Sequence, residues 1–122
     1  MPNSRYFRDL VVRYTLLNPE AIPQAYMSLH TGEPGEIGLS ELAGEGYERQ
    51  LLELARSAPG TVTNQNKPEF RDLPTGLVTH FGVWDARTGG NYISGGPLMV
   101  PHQLYLGNNL GWREAEIVIR AG

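Results

Sequence analysis

The sequence contains no cysteine, and this absence removes several classes of function. Without a thiol there is no disulfide framework, no cysteine-ligated zinc or iron–sulfur centre and no cysteine nucleophile. A chain of 122 residues is long enough to bury a core without such cross-links, and it predicts a single domain over residues 1–122. The absence of cysteine also fits assembly in a reducing cytoplasm.

Basic charge and long apolar runs are scarce as well. Ten lysines and arginines face thirteen aspartates and glutamates, which gives a net charge of −3. A nucleic-acid-binding surface normally carries an excess of basic residues, and no such excess is present. No apolar stretch approaches the ~20 residues of a membrane span, and the N-terminus lacks the apolar segment of a signal peptide. We therefore expect neither nucleic acid nor a membrane as a partner.

Motifs for catalysis and metal binding are also missing. The three histidines are widely spaced and form no HxH or HExxH pair, no serine lies in GxSxG, and no glycine-rich phosphate loop occurs. The glutamates of residues 33–48 lack the aspartate pattern of a calcium loop and are typical of a solvated segment. The sequence therefore predicts a protein that is not an enzyme and binds no cofactor or metal. A small hydrolase or lyase that uses Glu and His is the least favoured alternative.

Glycine and proline, by contrast, are abundant. The 15 glycines and 9 prolines make up about a fifth of the chain, against roughly 12% in ordinary proteins. Their even spread predicts many short strands joined by turns, in an antiparallel, jelly-roll-like β-sandwich over residues 25–120. About seven strands are predicted, at 25–30, 47–53, 61–66, 69–73, 77–85, 92–98 and 110–119, with 101–106 as a further candidate.

The N-terminal segment predicts the one helix, at about residues 4–17. Its apolar residues recur with helical spacing on one face, and the Asn18-Pro19 pair ends it. Val12 and Leu16 lie on the opposite face, beside basic residues, where a surface helix is normally polar. This predicts a partner-binding face at Arg5, Arg8, Val12 and Leu16, unless the helix packs on both sides within its own domain.

Aromatic side chains offer an alternative function. Trp112, Tyr92 and Tyr105 could line a sugar-binding face, because flat rings pack against sugar rings. The competing interpretation is core and cross-strand packing, which we expect for Trp84 in particular. Gly82, in the middle of the strongest strand, is expected to leave room for a neighbouring ring, that of Tyr47. Asp85 and Thr88 are expected to hydrogen-bond the turn of the hairpin that follows.

Four segments, taken in order, resemble a family of small structural proteins of tailed bacteriophages, the tail-fibre-like or minor tail proteins. The segments are YMSLHTGEPG at 26–35, ELAGEGYERQ at 41–50, VTHFGVWDARTGGN at 78–91, and SGGPL at 94–98 with Pro101. Two stretches depart from the family pattern, because residues 51–56 have a helical pattern and residues 64–68 are unusually polar. The path of residues 51–76 therefore stays open.

The resemblance implies a virion structural component that has no cofactor and is assembled in the host cytoplasm. Because the chain shows no fibre repeat or coiled coil, we expect a capsid decoration (cement) protein. It would form a homotrimer and bind the major capsid protein on the outer lattice. The first alternative is a tail or baseplate subunit with tail or baseplate proteins as partners. The second alternative, from a different functional class, is a carbohydrate-binding β-sandwich.

Overall fold

A computed structural model describes residues 25–120 of the chain. Within this range the protein is built of β-strands and turns and contains no helix, which confirms the mainly β prediction. The predicted helix at 4–17 lies outside the described residues. The described strands are β1 (Ala25–His30), β2 (Gln50–Leu52), β3 (Leu54–Ala58), β4 (Thr61–Asn64), β5 (Glu69–Leu73), β6 (Gly76–Trp84), β7 (Tyr92–Leu104), β8 (Asn108–Gly111) and β9 (Val118–Arg120).

The strands form three antiparallel sheets. The largest has the order β2-β1-β6-β7, the second the order β3-β4-β9, and the third pairs β5 with β8. Every strand pair is antiparallel, as the sequence predicted. The jelly-roll arrangement of these sheets stays a prediction.

Strand boundaries differ from the prediction where pairing with a neighbouring strand outweighs the local sequence pattern. Residues 51–56, helical in pattern, enter β2 and β3, because Leu51 and Leu52 pair with β1 and residues 54–56 pair with β4. The predicted last strand, 110–119, divides into the end of β8 and the start of β9. Ala115 lies between them with φ 64°, a left-handed conformation that interrupts extended chain.

The two predicted strands at 92–98 and 101–106 are one long strand, β7. It forms one edge of the four-stranded sheet, where Pro97 and Pro101 are tolerated because a missing N–H breaks no central ladder. His80 pairs with Pro97 and Val78 pairs with His102, so residues 98–101 of β7 face a single residue of β6. The extra residues form a large, irregular bulge on the sheet edge.

The core lies against the face of β1 and β6 that carries Met27 and Val83. Met27, Leu29 and Val83 are fully buried there, together with residues of the other two sheets. The opposite face of β1 is buried too, because Ser28 and His30 have no exposed surface. One strand thus separates an apolar core from a polar interior. The apolar cluster consists of Ala25, Met27, Leu29, Leu42, Leu52, Val62, Phe70, Leu73, Val78, Phe81, Val83, Ile93, Leu104, Ile117 and Ile119.

Gly82 makes room for a ring, as predicted, but the ring is that of His30 and not that of Tyr47. A Cβ at this position would lie 2.5 Å from Ser28 Oγ and 2.6 Å from His30 Nε2. Gly82 pairs directly with Ser28 in the β1–β6 ladder, which brings the two strands together at this point. Tyr47 instead stacks on Phe70, with ring centroids 6.2 Å apart.

Substitution of Gly82 by alanine is therefore expected to destabilise the fold. The added methyl must displace Ser28 or His30 from a packed, hydrogen-bonded position, at a cost of about 1–3 kcal/mol. Urea unfolding measures the loss. Gly32→Ala is the matched control, because a Cβ there meets Ser40 Oγ at an ordinary 3.4 Å. Equal unfolding midpoints for the two variants would contradict this account of Gly82.

Candidate functional site

Three of the four segments that carry the resemblance meet on the polar side of β1. His30 comes from the first segment, Glu41 and Arg49 from the second, and Trp84 with the 85–91 hairpin from the third. The ladder between β1 and β6 places Tyr26 opposite Trp84 and His30 opposite His80. The segment 41–50 then crosses this face, held at one end by an isolated bridge between His30 and Glu41.

A buried ion pair between Arg49 and Glu41 forms the centre of this polar interior. Arg49 Nε donates to Glu41 Oε2 and Arg49 Nη2 to Oε1, each at 3.0 Å, which is the bidentate geometry favoured by guanidinium and carboxylate. Arg49 Nη1 donates to the carbonyl oxygens of Ala86 at 3.0 Å and Gly89 at 2.8 Å. The guanidinium carbon lies 3.8 Å from the centroid of the Trp84 ring, a cation–π contact. Arg49 thereby fixes the hairpin onto the 41–50 segment.

A chain of hydrogen bonds extends this network into the strand. Trp84 Nε1 donates to Ser28 Oγ at 2.9 Å, and Ser28 Oγ lies 2.7 Å from His30 Nε2. His30 Nδ1 lies 2.6 Å from the carbonyl oxygen of Leu39, which can only accept. The neutral imidazole therefore carries its proton on Nδ1 and accepts the Ser28 hydroxyl proton at Nε2.

Tyr47 connects the ion pair to the strand backbone. Its hydroxyl donates to Glu41 Oε2 at 2.6 Å and accepts from the backbone N–H of Leu29 at 3.2 Å. Burial, followed by the hydrogen bond to Glu41, raises the pKa of Tyr47 above its usual range. These bonds satisfy the polar groups of the network, so its residues serve as structural ties between segments.

Two pKa shifts record the same environment. Burial lowers the pKa of His30 below its ordinary value, because the charged imidazolium is poorly solvated there. Burial opposes ionisation of Glu41, but the hydrogen bonds from Arg49 and Tyr47 outweigh it and hold the pKa of Glu41 below its ordinary value. At neutral pH the network therefore contains a neutral His30 and an ionised Glu41.

The 85–91 hairpin has its own ties, one of them predicted. Asp85 Oδ1 accepts from the backbone N–H of Asn91 at 2.7 Å, and Asp85 Oδ2 accepts from Asn91 Nδ2 at 2.8 Å. The expected role of Asp85 in the turn is thus confirmed. Arg87 Nη1 donates to the carbonyl oxygen of Arg49 at 2.7 Å, which joins the hairpin to the 41–50 segment a second time.

The bulge of β7 presents an apolar surface, which the sequence prediction missed. Met99 is 98% exposed and Val100 61% exposed, with Pro97 and Pro101 on either side. Beside the bulge runs a groove of about 680 Å³, whose other wall comes from residues 111–118. Trp112, Ile117 and Val118 line that wall. We call the bulge, residues 97–101, and this groove the β7 apolar surface. The sequence signal for it was the run PLMVP.

The three aromatic residues of the predicted sugar-binding face occupy separate surroundings. Tyr92 is buried against Trp84, with ring centroids 5.3 Å apart, and Trp84 is itself buried as expected. Trp112 packs edge-on against Phe70 and against His102, whereas Tyr105 is exposed. Within residues 25–120 no ring contact joins any two of the three. They do not form one stacking surface.

Arg5, Arg8, Val12 and Leu16 lie outside the described residues. Among residues 25–120, no group of three or more His, Asp or Glu side chains is placed to hold a metal ion. The described part of the chain also contains no helix long and apolar enough to cross a membrane.

Comparison with known proteins gives one finding. The family model described as "Podophage GP4 fiber I protein gp80" matches residues 4–120 of this chain, nearly its whole length. No curated protein matches the sequence. The match confirms the resemblance to structural proteins of tailed phages.

Truncation of Arg49 is expected to be strongly destabilising. Arg49→Ala leaves the half-buried Glu41 carboxylate without its guanidinium partner and two hairpin carbonyls without their donor. Breaking a buried pair from one side costs about 3–5 kcal/mol. Arg49→Lys retains the charge without the bidentate fork and should lose less. Urea unfolding curves measure both losses. Arg71→Ala is the control, since its pair with Glu69 is exposed and its loss should stay within ~0.5 kcal/mol. Equal losses for Arg49→Ala and Arg71→Ala would contradict the central role of Arg49.

Stability is expected to fall as the pH drops below 6.5. The unfolded chain protonates His30 near 6.5, whereas the folded protein, with its lower pKa, resists until a lower pH, so acid favours unfolding. Glu41 adds to this loss below 4.5, as the pH approaches its lowered folded pKa. Urea midpoints at about pH 7.5 and 5.5 measure the first effect. His30→Gln should be less stable at neutral pH, and its stability should depend less on pH. An unchanged pH dependence of the urea midpoint would show that groups other than His30 cause the loss of stability.

Proposed function

The chain belongs to the podophage GP4 fiber I protein gp80 family, and from this we propose that it is a tail-associated fibre subunit of the phage particle. Membership of this family makes it a phage structural protein and a virion component. The tail position is the alternative that the sequence offered, and it replaces the capsid decoration protein as the favoured assignment. That earlier preference depended on the lack of a fibre repeat, yet a fibre-protein family model matches nearly this whole single chain.

The β7 apolar surface supports a role in assembly. An almost completely exposed methionine beside an apolar groove is unfavourable on an isolated soluble protein and is typical of a surface that another protein covers. The bulge projects from a sheet edge, so a neighbouring subunit can reach it without disturbing the core. In a particle where each contact is repeated by symmetry, weak individual contacts of this kind suffice.

The polar interior supports a non-enzymatic role. His30, Glu41 and Tyr47 are residue types used in catalysis, but each is engaged in hydrogen bonds that join segments of the fold. We propose further that the subunit is a homotrimer bound to tail or baseplate proteins. In this assembly Arg5, Arg8, Val12 and Leu16 provide a second contact surface.

Separation of phage particles into heads and tails tests the assignment. We expect mass spectrometry to detect the protein in the tail fraction and not in DNA-filled heads. The major capsid protein and a known tail protein serve as markers of each fraction. Recovery of the protein with heads alone would overturn the tail assignment and restore the capsid decoration interpretation.

A variant of the β7 apolar surface tests how the subunit is held. Met99→Asp with Val100→Asp places two charges on exposed positions, so folding is unaffected while burial in an interface becomes costly. We expect phage carrying this variant to contain at least ~10-fold less of the protein per tail, a loss of about 1.4 kcal/mol or more in binding. Ile37→Asp, at another exposed apolar position, is the control. Equal incorporation of both variants would exclude this surface from the interface.

A further inference from the structure

A small cleft lies between the 31–40 loop and β7. Glu33 and Pro34 form one side, residues 95–97 of β7 form the other, and His80 and Tyr92 complete the lining. Its volume of about 290 Å³ is at the lower end of the range for small-molecule sites. The cleft therefore suits a ligand, or one unit of a ligand, of about one ring.

The hydroxyl of Tyr92 is the unusual feature of this cleft. It is the one buried side-chain polar atom in the described part of the chain that lacks a hydrogen-bond partner. Tyr92 as a whole is 8% exposed, with its ring held against Trp84. Native proteins almost always satisfy buried polar groups, so this exception calls for an explanation, and a bound ligand is one. Burial and the nearby charge of Glu33 raise the pKa of Tyr92, so the phenol stays protonated and able to donate.

Gly95 makes room for this hydroxyl beside the cleft. A Cβ at residue 95 would collide with the Tyr92 hydroxyl oxygen and would lie 3.1 Å from Pro34 Cγ. The Tyr92 hydroxyl thus occupies room that any larger side chain at residue 95 would fill, next to the Pro34 ring. Gly95 is also buried in the β6–β7 ladder, where it pairs with Gly82.

The chemistry of the lining selects the ligand. Glu33 is exposed at the rim and accepts hydrogen bonds, while its charge repels anions. Tyr92 supplies a buried donor, and His80, whose Nδ1 is bonded to Thr79 Oγ1, presents an imidazole. Pro34 and Pro97 supply apolar walls. A sugar ring matches this pattern, because its C–H faces are apolar and its hydroxyls both donate and accept.

We propose that this cleft binds one neutral sugar ring, with one sugar hydroxyl accepting a hydrogen bond from Tyr92 and another donating to Glu33. The site differs from the predicted stacking face, since it uses the Tyr92 hydroxyl and requires neither Trp112 nor Tyr105. It is independent of where the protein lies in the particle. A free monosaccharide and the terminal unit of a polysaccharide present the same chemistry.

Titration of the full chain with monosaccharides, followed by amide NMR shifts, tests the proposal. The probes are D-glucose, D-galactose, D-mannose, L-rhamnose and N-acetyl-D-glucosamine. At up to ~50 mM, even a millimolar Kd gives near saturation. We expect at least one probe to shift the amides of Gly35, Gly95 and Gly96. A polysaccharide ending in that sugar should shift the same amides if terminal units are bound, and its failure to do so would restrict the site to the free sugar.

Tyr92→Phe separates a binding role from a structural one. It removes only the hydroxyl, so the unfolding midpoint in urea should be equal or higher, while affinity for the active sugar falls at least ~10-fold. Tyr105→Phe removes the same group from an exposed position and should bind normally. Glu33→Gln, on the exposed loop, should weaken binding by a smaller factor and serves if Tyr92→Phe folds poorly.

Several results would overturn the site. They are the absence of any cleft shift with all five sugars, shifts confined to residues around Tyr105 or Trp112, and equal affinity of the wild-type chain and Tyr92→Phe. None of these results bears on the tail assignment, which the head and tail fractions decide separately.

Discussion

The ion pair between Arg49 and Glu41, placed against the Trp84 ring, is the interaction on which the polar half of this structure depends. Charged groups removed from water are stabilising only when their hydrogen bonds are formed. Here the carbonyl oxygens of the 85–91 hairpin accept hydrogen bonds from the Arg49 N–H groups that do not bind Glu41. Three stretches of chain that are remote in sequence therefore have to be in place together. Three of the segments that carry the resemblance to the fibre-protein family are joined in this way.

The strands around this network were the most predictable part of the fold. β1 and β6 have the β-branched, aromatic and alternating character of strands, and the turn residues around them lie where the chain reverses. Residues 51–56 were less predictable, because their local pattern is helical and only pairing with β1 and β4 makes them extended. Arg49 stands in the 41–50 segment of the resemblance, but nothing local in the sequence indicated its role. A single arginine in a loop is ordinary in sequence, and its partners at 41, 86 and 89 are brought to it only by the tertiary fold.

Two surfaces separate the structural role from a binding role. The β7 apolar surface exposes Met99 and Val100 on a bulge, which supports the proposed contact with a neighbouring subunit. The cleft beside the 31–40 loop instead holds a buried donor and an exposed carboxylate. Exposed apolar side chains and unsatisfied polar groups are both unfavourable in isolation, and each points to a different kind of missing partner. Amino-acid composition could predict neither of these two surfaces, because both depend on which side chains stay uncovered at the sheet edge.

The prolines of β7 also limit how copies of the chain can meet. An open sheet edge is a template onto which further strands can add without end, a hazard that grows when many copies are concentrated in one particle. Pro97 and Pro101 lack the N–H donors that such addition needs, and the bulge between them breaks the straight edge. Growth of an amyloid-like ribbon from this edge is thereby discouraged. Contacts at the bulge must instead be made by side chains, whose shapes select the partner surface that fits them.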